Sequence, residues 1–199
     1  MTAHFPQRLQ GVEQTDLFGG PAPGPKGFRY QPDLITAAEE TELVGHLEQL
    51  PFEPFDFHGH LANRQVVGFG YRYDYASRTV RAAAPIPDFL QALRQKIAGF
   101  TGLNAEAFQQ VLINEYIPGA GIGWHKDKPH FEHVVGVSLS APCLFRFRKK
   151  VGETWERMSL PVEPRSAYLM TGPSRHVWEH SIPPLDQHRY SITWRTLAA

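Results

Sequence analysis

The second half of the chain is a succession of short segments that are rich in β-branched and aromatic residues and separated by turn residues. In order they are VLINEY (111–116), HVVGVSLS (133–140), CLFRFR (143–148), SAYLMTG (166–172) and RYSITWR (189–195). Segments of this length and composition predict β-strands. A chain that carries so many strands has to cover or close its sheets, and a double-sheet barrel is the natural closure.

Two helices are predicted before these strands. Thr36 and Glu39 have the spacing of a capping box, and an apolar stripe then runs to Leu50, where Pro51 stops the helix. A second helix is predicted over about residues 88–98 from its apolar spacing. We expect both helices to pack on one face of a sheet, which gives an α+β fold.

The length of 199 residues suits one domain with a sizeable core. Residues 1–27 are rich in Pro and Gly and predict a flexible or wrapped N-terminal arm, so the domain is expected over 28–199. Cys143 is the single cysteine, no apolar run approaches the ~20 residues of a membrane span, and the N-terminus has no apolar signal core. These features predict a cytoplasmic protein without a disulfide.

The charge balance restricts nucleic-acid binding without excluding it. Twenty basic and twenty acidic residues give a formal net charge of zero, whereas proteins that bind duplex nucleic acid are usually basic. Binding would therefore need a local patch. Nothing in the chain requires a dimer, and a monomer is expected.

His125 and Asp127 are the first candidates for chemistry. In an extended segment, residues two apart point to the same side, so an imidazole and a carboxylate can reach one metal ion. His180, in RHVWEHSIPP near the end of the chain, is the candidate for a third ligand. Two imidazoles and one carboxylate on one face of an octahedron are the ligand set preferred by non-haem Fe(II) oxygenases.

Alternating polar residues near the C-terminus indicate an anion site. One side of the segment 189–195 carries Arg189, Ser191, Thr193 and Arg195, while Tyr190, Ile192 and Trp194 face the other side as core. Two arginines on the same side of a strand are unusual unless an anion lies between them, and a short dicarboxylic acid would fit. Asn114 and Tyr116 alternate in the same manner and could add neutral hydrogen bonds.

These motifs together resemble the AlkB-type 2-oxoglutarate dioxygenases. NEYIPGAGIGWHKDK, VSLSAPCLFRF, SRHVWEHSIPP and RYSITWR occur in the family's order, and the resemblance covers about residues 28–199. It implies a double-stranded β-helix (jelly-roll) core, iron held by His125, Asp127 and His180, and Fe(II), 2-oxoglutarate and O2 as cofactors. It also implies 2-oxoglutarate bound by Asn114, Tyr116, Arg189, Ser191 and Arg195, with Ser191 standing where many members carry Asn.

The resemblance implies a reaction and a substrate class as well. In such enzymes the oxidation of 2-oxoglutarate to succinate is coupled to hydroxylation of an N-attached methyl group, which then leaves as formaldehyde from alkylated DNA or RNA. The family builds its substrate-recognition lid in the region of residues 52–78. The candidate substrate contacts are Phe57, Arg64, Phe69, Tyr71, Tyr73, Lys126 and Lys128.

One departure limits what can be carried over. Pro129 stands where some DNA-repair members carry an acidic residue that reads the base, so the base preference is not transferable.

A local positive patch could form from Lys126, Lys128 and the segment RFRKK, which contains Arg146, Arg148 and two lysines. This segment is expected at a hairpin tip, where it would either contact phosphates or simply be solvated.

Alternatives remain open from the sequence. The same oxygenase chemistry could act on a protein or a small molecule. A zinc site could instead use His125 and Asp127 with His130 or His133, and a non-catalytic nucleic-acid or metal-binding module is a further alternative. Gln14–Phe18 (QTDLF) resembles the short peptide by which bacterial repair proteins dock on the sliding clamp, which predicts a partner for the arm.

Overall fold

The computed structural model describes residues 24–57, 60–74 and 79–198. In those ranges the helices are α1 (Ala37–Leu47), α2 (Gln91–Thr101) and α3 (Gly172–His176). The strands are β1 (Phe28–Gln31), β2 (Glu53–Phe57), β3 (His60–Phe69), β4 (Tyr71–Asp74), β5 (Thr79–Ala82), β6 (Phe108–Tyr116), β7 (Ile122–His125), β8 (Phe131–Leu139), β9 (Cys143–Val151), β10 (Thr154–Val162), β11 (Ala167–Met170), β12 (Glu179–Ile182) and β13 (Arg189–Leu197).

Two antiparallel sheets form the body of the domain. The major sheet has the strand order β1-β11-β8-β13-β6-β3-β2, and the minor sheet has the order β10-β9-β12-β7. Apolar residues from both sheets share one core, in which Tyr168 and Met170 of the major sheet pack with Phe145 and Phe147 of the minor sheet. The predicted jelly-roll core is confirmed. The β4–β5 hairpin forms a separate pair.

A second core lies on the opposite face of the major sheet. There Leu47 of α1 and Ile97 of α2 pack in one cluster with Val111, Ile192 and Trp194. Strand residues one apart point to opposite faces, so β6 and β13 contribute to this cluster with every second residue and to the space between the sheets with the others. The prediction of two helices on one face is confirmed.

The second helix begins and ends later than its apolar spacing predicts. Asp88–Leu90 form a 3-10 turn after Pro87, and α2 begins only at Gln91. Its C-terminus is fixed by Gly102, whose φ of 79° is the left-handed conformation that glycine adopts without a steric penalty. The periodicity thus finds the buried face of the helix but not its ends.

Part of the N-terminal region is described. From residue 24 the chain leads into β1, and Gly27 hydrogen-bonds through its carbonyl to the Thr171 N–H at 3.0 Å. The predicted clamp-docking peptide Gln14–Phe18 lies outside the described residues. Within the described ranges, no helix has the length and apolar character needed to cross a membrane.

The capping box of α1 provides a test of the local folding argument. Thr36 Oγ1 accepts a hydrogen bond from the Glu39 N–H at 3.2 Å, and Glu39 Oε2 accepts one from the Thr36 N–H at 2.8 Å. Lys96 of α2 lies 2.8 Å from Glu39 Oε1 and, with the cap, lowers the pKa of Glu39 to about 2. Stability from this ionised carboxylate is present above the unfolded pKa of about 4.3 and is lost as the pH falls toward 2.

We expect Thr36→Ala to lower the free energy of unfolding by about 1 kcal/mol at neutral pH, because it removes the N-cap acceptor. The matched control is Thr41→Ala, since Thr41 lies inside α1 and its hydroxyl only bonds back to the Ala37 carbonyl. That control should stay within about 0.5 kcal/mol of the parent. Urea unfolding measures both, and equal losses would contradict the capping argument.

Candidate active site

A cavity of about 500 Å³ opens between the two sheets. Its walls come from alternate residues of β6 and β13 in the major sheet and from β7 and β12 in the minor sheet. Residues of β3 and the start of β4 complete one side. The cavity therefore lies where the inward-facing polar residues of both sheets meet.

His125, Asp127 and His180 come together at one end of this cavity. His125 and His180 are directly opposite each other in the antiparallel β7–β12 pair, and their ring centroids are 4.2 Å apart. Asp127 lies two residues beyond His125, and its Oδ2 is 3.6 Å from His180 Nε2. The cross-strand register thus joins residues that are 55 positions apart in the sequence.

The protonation states of this cluster suit a divalent metal ion. Burial lowers the pKa of His180 to about 3 and also lowers the pKa of His125, so both imidazoles are neutral at neutral pH. Burial opposes ionisation of Asp127, but neighbouring positive charges, of which Arg195 has the largest effect, lower the pKa of its carboxyl group. Metal ligands must be neutral imidazoles and ionised carboxylates, and these are the forms expected here.

Neighbouring groups orient two of the three side chains. The Nε and Nη2 atoms of Arg195 donate to Asp127 Oδ1 at 2.8 and 2.7 Å. His125 Nδ1 hydrogen-bonds to the Gly123 carbonyl at 2.8 Å, which leaves its Nε2 for a metal. No three His, Cys, Asp or Glu side chains form a preformed cage within the ranges that the structure describes. The donor set, two imidazoles and one carboxylate, fits Fe(II).

Arg189 is the strongest sign of an anion site. Its side chain is fully buried, and Nε donates to Ser138 Oγ at 3.2 Å. Nη1 and Nη2 have no hydrogen-bond partner among the described residues. A buried guanidinium with two unused nitrogens is costly unless an anion binds there. The guanidinium lies 5.1 Å from the centre of the Tyr116 ring.

A glycine makes room for a second tyrosine in the same wall. Gly136 and Tyr168 are cross-strand partners, and a Cβ on Gly136 would lie 2.2 Å from the Tyr168 ring. Tyr168 is buried, and burial raises the pKa of its hydroxyl, so the hydroxyl stays protonated. The position therefore requires glycine as long as the tyrosine ring lies across it.

Asn114, Tyr116, Ser191 and Arg195, the remaining predicted cofactor residues, line the cavity. Asn114 and Ser191 are cross-strand partners, and Asn114 Nδ2 donates to Ser191 Oγ at 3.4 Å. Tyr116 pairs with Arg189 in the same ladder. Arg195 differs from the expectation that it faces the anion together with Arg189, because its guanidinium contacts Asp127 and Gln110.

The structure corrects one of the predicted substrate contacts. Phe69 is buried among the residues under the helices, because alternation along β3 turns it away from the cavity. Arg64 is buried but lines the cavity, where its Nη1 donates to Asn114 Oδ1 at 2.6 Å. Its role as a substrate contact stays a prediction.

The remaining predicted contacts are consistent with a cavity entrance. Tyr71, Lys126 and Lys128 all line the cavity, and Lys126 is exposed. The side chains of Phe57 and Tyr73 lie outside the described part of the structure. In the predicted lid region 52–78, the described residues form the paired strands β2 and β3 at the edge of the major sheet and the strand β4, which pairs with β5.

Sequence reasoning missed Arg175. This buried side chain of α3 donates from Nη1 to the Asp127 carbonyl at 3.3 Å, and from Nη2 to the carbonyls of Lys128 and Phe131. It therefore fixes the loop that follows the His-x-Asp pair. The available signal was its place in SRHVWEH, five residues before His180.

Comparison with known proteins agrees with this geometry. Residues 27–195 match the family model of the 2OG-Fe(II) oxygenase superfamily. The chain is 29% identical over 181 residues to the Arabidopsis thaliana alkylated DNA repair protein ALKBH8 homolog, covering 79% of this chain and 51% of that protein. It is 32% identical over 170 residues to the mouse tRNA (carboxymethyluridine(34)-5-O)-methyltransferase ALKBH8, covering 80% of this chain and 24% of that protein.

The chain thus spans about half the length, or less, of these two relatives. The solved structure of OsALKBH1 superposes with a TM-score of 0.63 at 17% identity, covering 85% of this chain and 96% of that one, which shows a shared fold. The chain belongs to the 2OG-Fe(II) oxygenase superfamily as an AlkB-type dioxygenase, with Fe(II), 2-oxoglutarate and O2 as its cofactors.

Proposed function

We propose that this dioxygenase removes alkyl groups from the nitrogen atoms of nucleobases in DNA or RNA. For a methyl group, O2 and 2-oxoglutarate would be consumed, and succinate, CO2 and a hydroxymethyl group on nitrogen would form. The hydroxymethyl group would then leave as formaldehyde and restore the N–H. The observation that carries the proposal is the cavity, which joins the His125–Asp127–His180 cluster to Tyr71 and two lysines at its entrance.

His125, Asp127 and His180 would hold Fe(II), which supplies the activation of O2 when bound. Arg195 holds one oxygen of the Asp127 carboxylate and so fixes the direction of the other. The Gly123 carbonyl does the same for the His125 ring. These partners supply the ligand orientation that a metal site needs beyond its first ligands.

Arg189 would receive a carboxylate of 2-oxoglutarate. The two unused nitrogens of its guanidinium match a carboxylate in fork geometry, and a bound carboxylate would remove the cost of their burial. Asn114 and Tyr116 on the neighbouring strand β6, and Ser191 on β13 itself, would add neutral hydrogen bonds. Arg195 would contact 2-oxoglutarate from the side of the proposed metal ligands, since its guanidinium already contacts Asp127.

The nucleic-acid assignment is supported by the cavity entrance and by the relatives. An alkylated base has to leave its stack to reach a buried metal, and it needs an apolar and aromatic pocket with polar groups at its edge. Tyr71 and Phe55 line the cavity together with Lys126 and Lys128. The Arabidopsis relative is named for alkylated DNA and the mouse relative for tRNA.

Three predictions about the cellular context stay predictions. The clamp-docking peptide Gln14–Phe18 would bring the enzyme to replicating DNA. A monomer would be sufficient, since the described cavity is built from one chain. A cytoplasmic location would suit both the iron chemistry and the single cysteine, which is buried.

The proposed reaction is tested by adding Fe(II) and 2-oxoglutarate without oxygen, and then oxygen with N-methylated single-stranded oligonucleotides. We expect a visible metal-to-ligand band in the first step, and formaldehyde and succinate in equal amounts in the second. Succinate without formaldehyde would redirect the search to a protein or small-molecule substrate. Asp127→Ala should abolish both products while leaving the fold intact by circular dichroism.

The anion site is tested by Arg189→Gln. Hydrogen bonds to charged groups contribute about 1.5–3 kcal/mol each, so the KM for 2-oxoglutarate should rise about tenfold or more. The apo protein should lose little stability, because a buried guanidinium with unused nitrogens disappears.

The matched control is Arg94→Gln, which removes a buried arginine outside the cavity that is paired with Glu106 and the Phe108 carbonyl. It should lower the free energy of unfolding and leave the KM for 2-oxoglutarate unchanged. If both variants changed KM equally, Arg189 would have no special part in binding the co-substrate.

The positioning role of Arg175 is tested by Arg175→Ala. Loss of its three carbonyl contacts should weaken Fe(II) binding about tenfold, measured from the visible band, because groups that orient metal ligands have effects of this size. Arg175→Lys should recover part of the affinity.

The control for this prediction is His176→Ala, because His176 is the exposed neighbour whose side chain contacts Glu132 and not the loop carbonyls. Its iron affinity should equal that of the parent. Arg175→Ala protein with reduced stability but unaltered iron affinity would limit Arg175 to a structural role.

A further inference from the structure

The outer face of the minor sheet carries arginine and tryptophan side chains that the proposed chemistry does not use. We propose that it binds the single-stranded nucleic acid that flanks the target base, an inference that rests on the proposed function and specifies its substrate site. We call it the arginine–tryptophan face, and its residues are Trp124, Arg146, Arg148, Lys150, Trp155 and Arg157.

These side chains are already arranged as a stacked array. The Arg148 guanidinium lies 4.5 Å from the ring centre of Trp124 and 4.3 Å from that of Trp155. Arg146 lies 5.0 Å from the Trp124 ring. The array crosses the sheet from β7, over β12 and β9, to β10, so both rings are held in place without a ligand. Fixed aromatic rings interleaved with arginines are a sequence-tolerant platform for bases and phosphates.

The face has a positive charge excess. Strand alternation, shown by the buried Phe145, Phe147 and Leu160, places Arg146, Arg148, Lys150 and Arg157 on the outer side of β9 and β10. Within the four strands of the minor sheet, which are described throughout, Glu179 is the one carboxylate on that side. It pairs with Arg148 at 2.5 Å. Lys149 and Glu156 form an ion pair at the alternate positions of β9 and β10, so neither belongs to this face.

Two of the cations are placed against each other. Arg148 and Arg157 are directly opposite in the β9–β10 ladder, where like charges destabilise a sheet. Arg157 is exposed, and the contact found for its guanidinium is a 3.4 Å hydrogen bond to the Trp155 carbonyl. Glu179 pairs with Arg148, so a phosphate here would chiefly offset the charge of Arg157. A row of phosphates matches a row of such cations.

The face is continuous with the cavity. Trp124 lines the cavity and also contacts Arg146 and Arg148 on the outer face. Lys126, two residues further along, is exposed and lines the entrance. A strand with one base inside the cavity could therefore continue over Trp124 onto the array, which a free nucleoside or a small molecule could not do.

The test compares binding of labelled single-stranded oligonucleotides of about 4 and about 16 nucleotides, a range that spans typical single-strand site sizes. Each carries one N-methylated base, and the full chain is used with Fe(II) and 2-oxoglutarate under anaerobic conditions. Lys150→Gln/Arg157→Gln changes exposed residues of the face that lie away from the metal cluster. The matched control, Arg29→Gln/Lys96→Gln, removes the same charge from the helix-covered side of the domain.

We expect the face variant to bind the long oligonucleotide about tenfold more weakly at physiological salt, and the short one as the parent does. For the long oligonucleotide, the slope of log Kd against the logarithm of the salt concentration should fall by about 1.4. Each of the two lost phosphate contacts removes about 0.7 from this slope. Trp155→Ala should also weaken the long complex, since it removes a stacking platform without changing the charge. The control pair should bind both lengths normally.

Equal binding by the face variant and the parent, or equal losses in the face and control variants, would overturn the inference. If the Lys150→Gln/Arg157→Gln variant lost affinity and Trp155→Ala did not, the face would be a general polyanion-binding surface. That result would also overturn the inference. Formaldehyde release from the same oligonucleotides separates this inference from the proposed function. If binding depends on length but no formaldehyde is released, the face binds nucleic acid and the proposed demethylation is wrong. If formaldehyde is released but binding does not depend on length, the demethylation stands and the inference about the face is wrong.

Discussion

Strand β13 lies at the centre of the major sheet, between β8 and β6, and its two sides face different surroundings. Ile192 and Trp194 pack under the helices, while Ser191, Thr193 and Arg195 line the cavity between the sheets, and Arg189 is buried on the same side of the strand. The side-chain period of two makes these placements inseparable, because a register slip of one residue would exchange the two sides. Packing of the apolar side chains under the helices therefore also fixes the register of the polar side chains. The strand can carry buried arginines because the core on the helix side holds it in place.

The same period explains which parts of the site could be predicted from the sequence. His125 and Asp127 are two residues apart, and Arg189 and Arg195 are separated by an even number of positions. Local spacing was therefore sufficient to place the members of each pair on the same side of their extended segment. Their approach to His180 depends on the β7–β12 register, for which the order of the family's motifs supplied the expectation. The proposed ligand roles of these residues stay predictions until iron and 2-oxoglutarate binding are measured.

Other contacts could not be read from spacing because they depend on tertiary packing. The parity of β3 relative to the cavity is set by its pairing with β6, and for this reason Arg64 lines the cavity while Phe69 packs under the helices instead of contacting a substrate. Arg175 acts through backbone carbonyls, which leave no side-chain pattern. The contact of Arg195 with Asp127 joins two residues that were assigned to different ligands. Arg195 and Arg175 thus hold the side chain and the backbone of one metal-ligand residue from two directions.

The packing of Gly136 against Tyr168 has a consequence for how sequences of this fold can vary. No side chain fits at position 136 while the tyrosine ring crosses it, because a Cβ there would lie 2.2 Å from the ring. The two positions are therefore free to change only as a pair. A homologue with alanine or a larger residue at the first position is expected to carry a smaller residue at the second, and its cavity wall would lose the phenol that stands near Arg189.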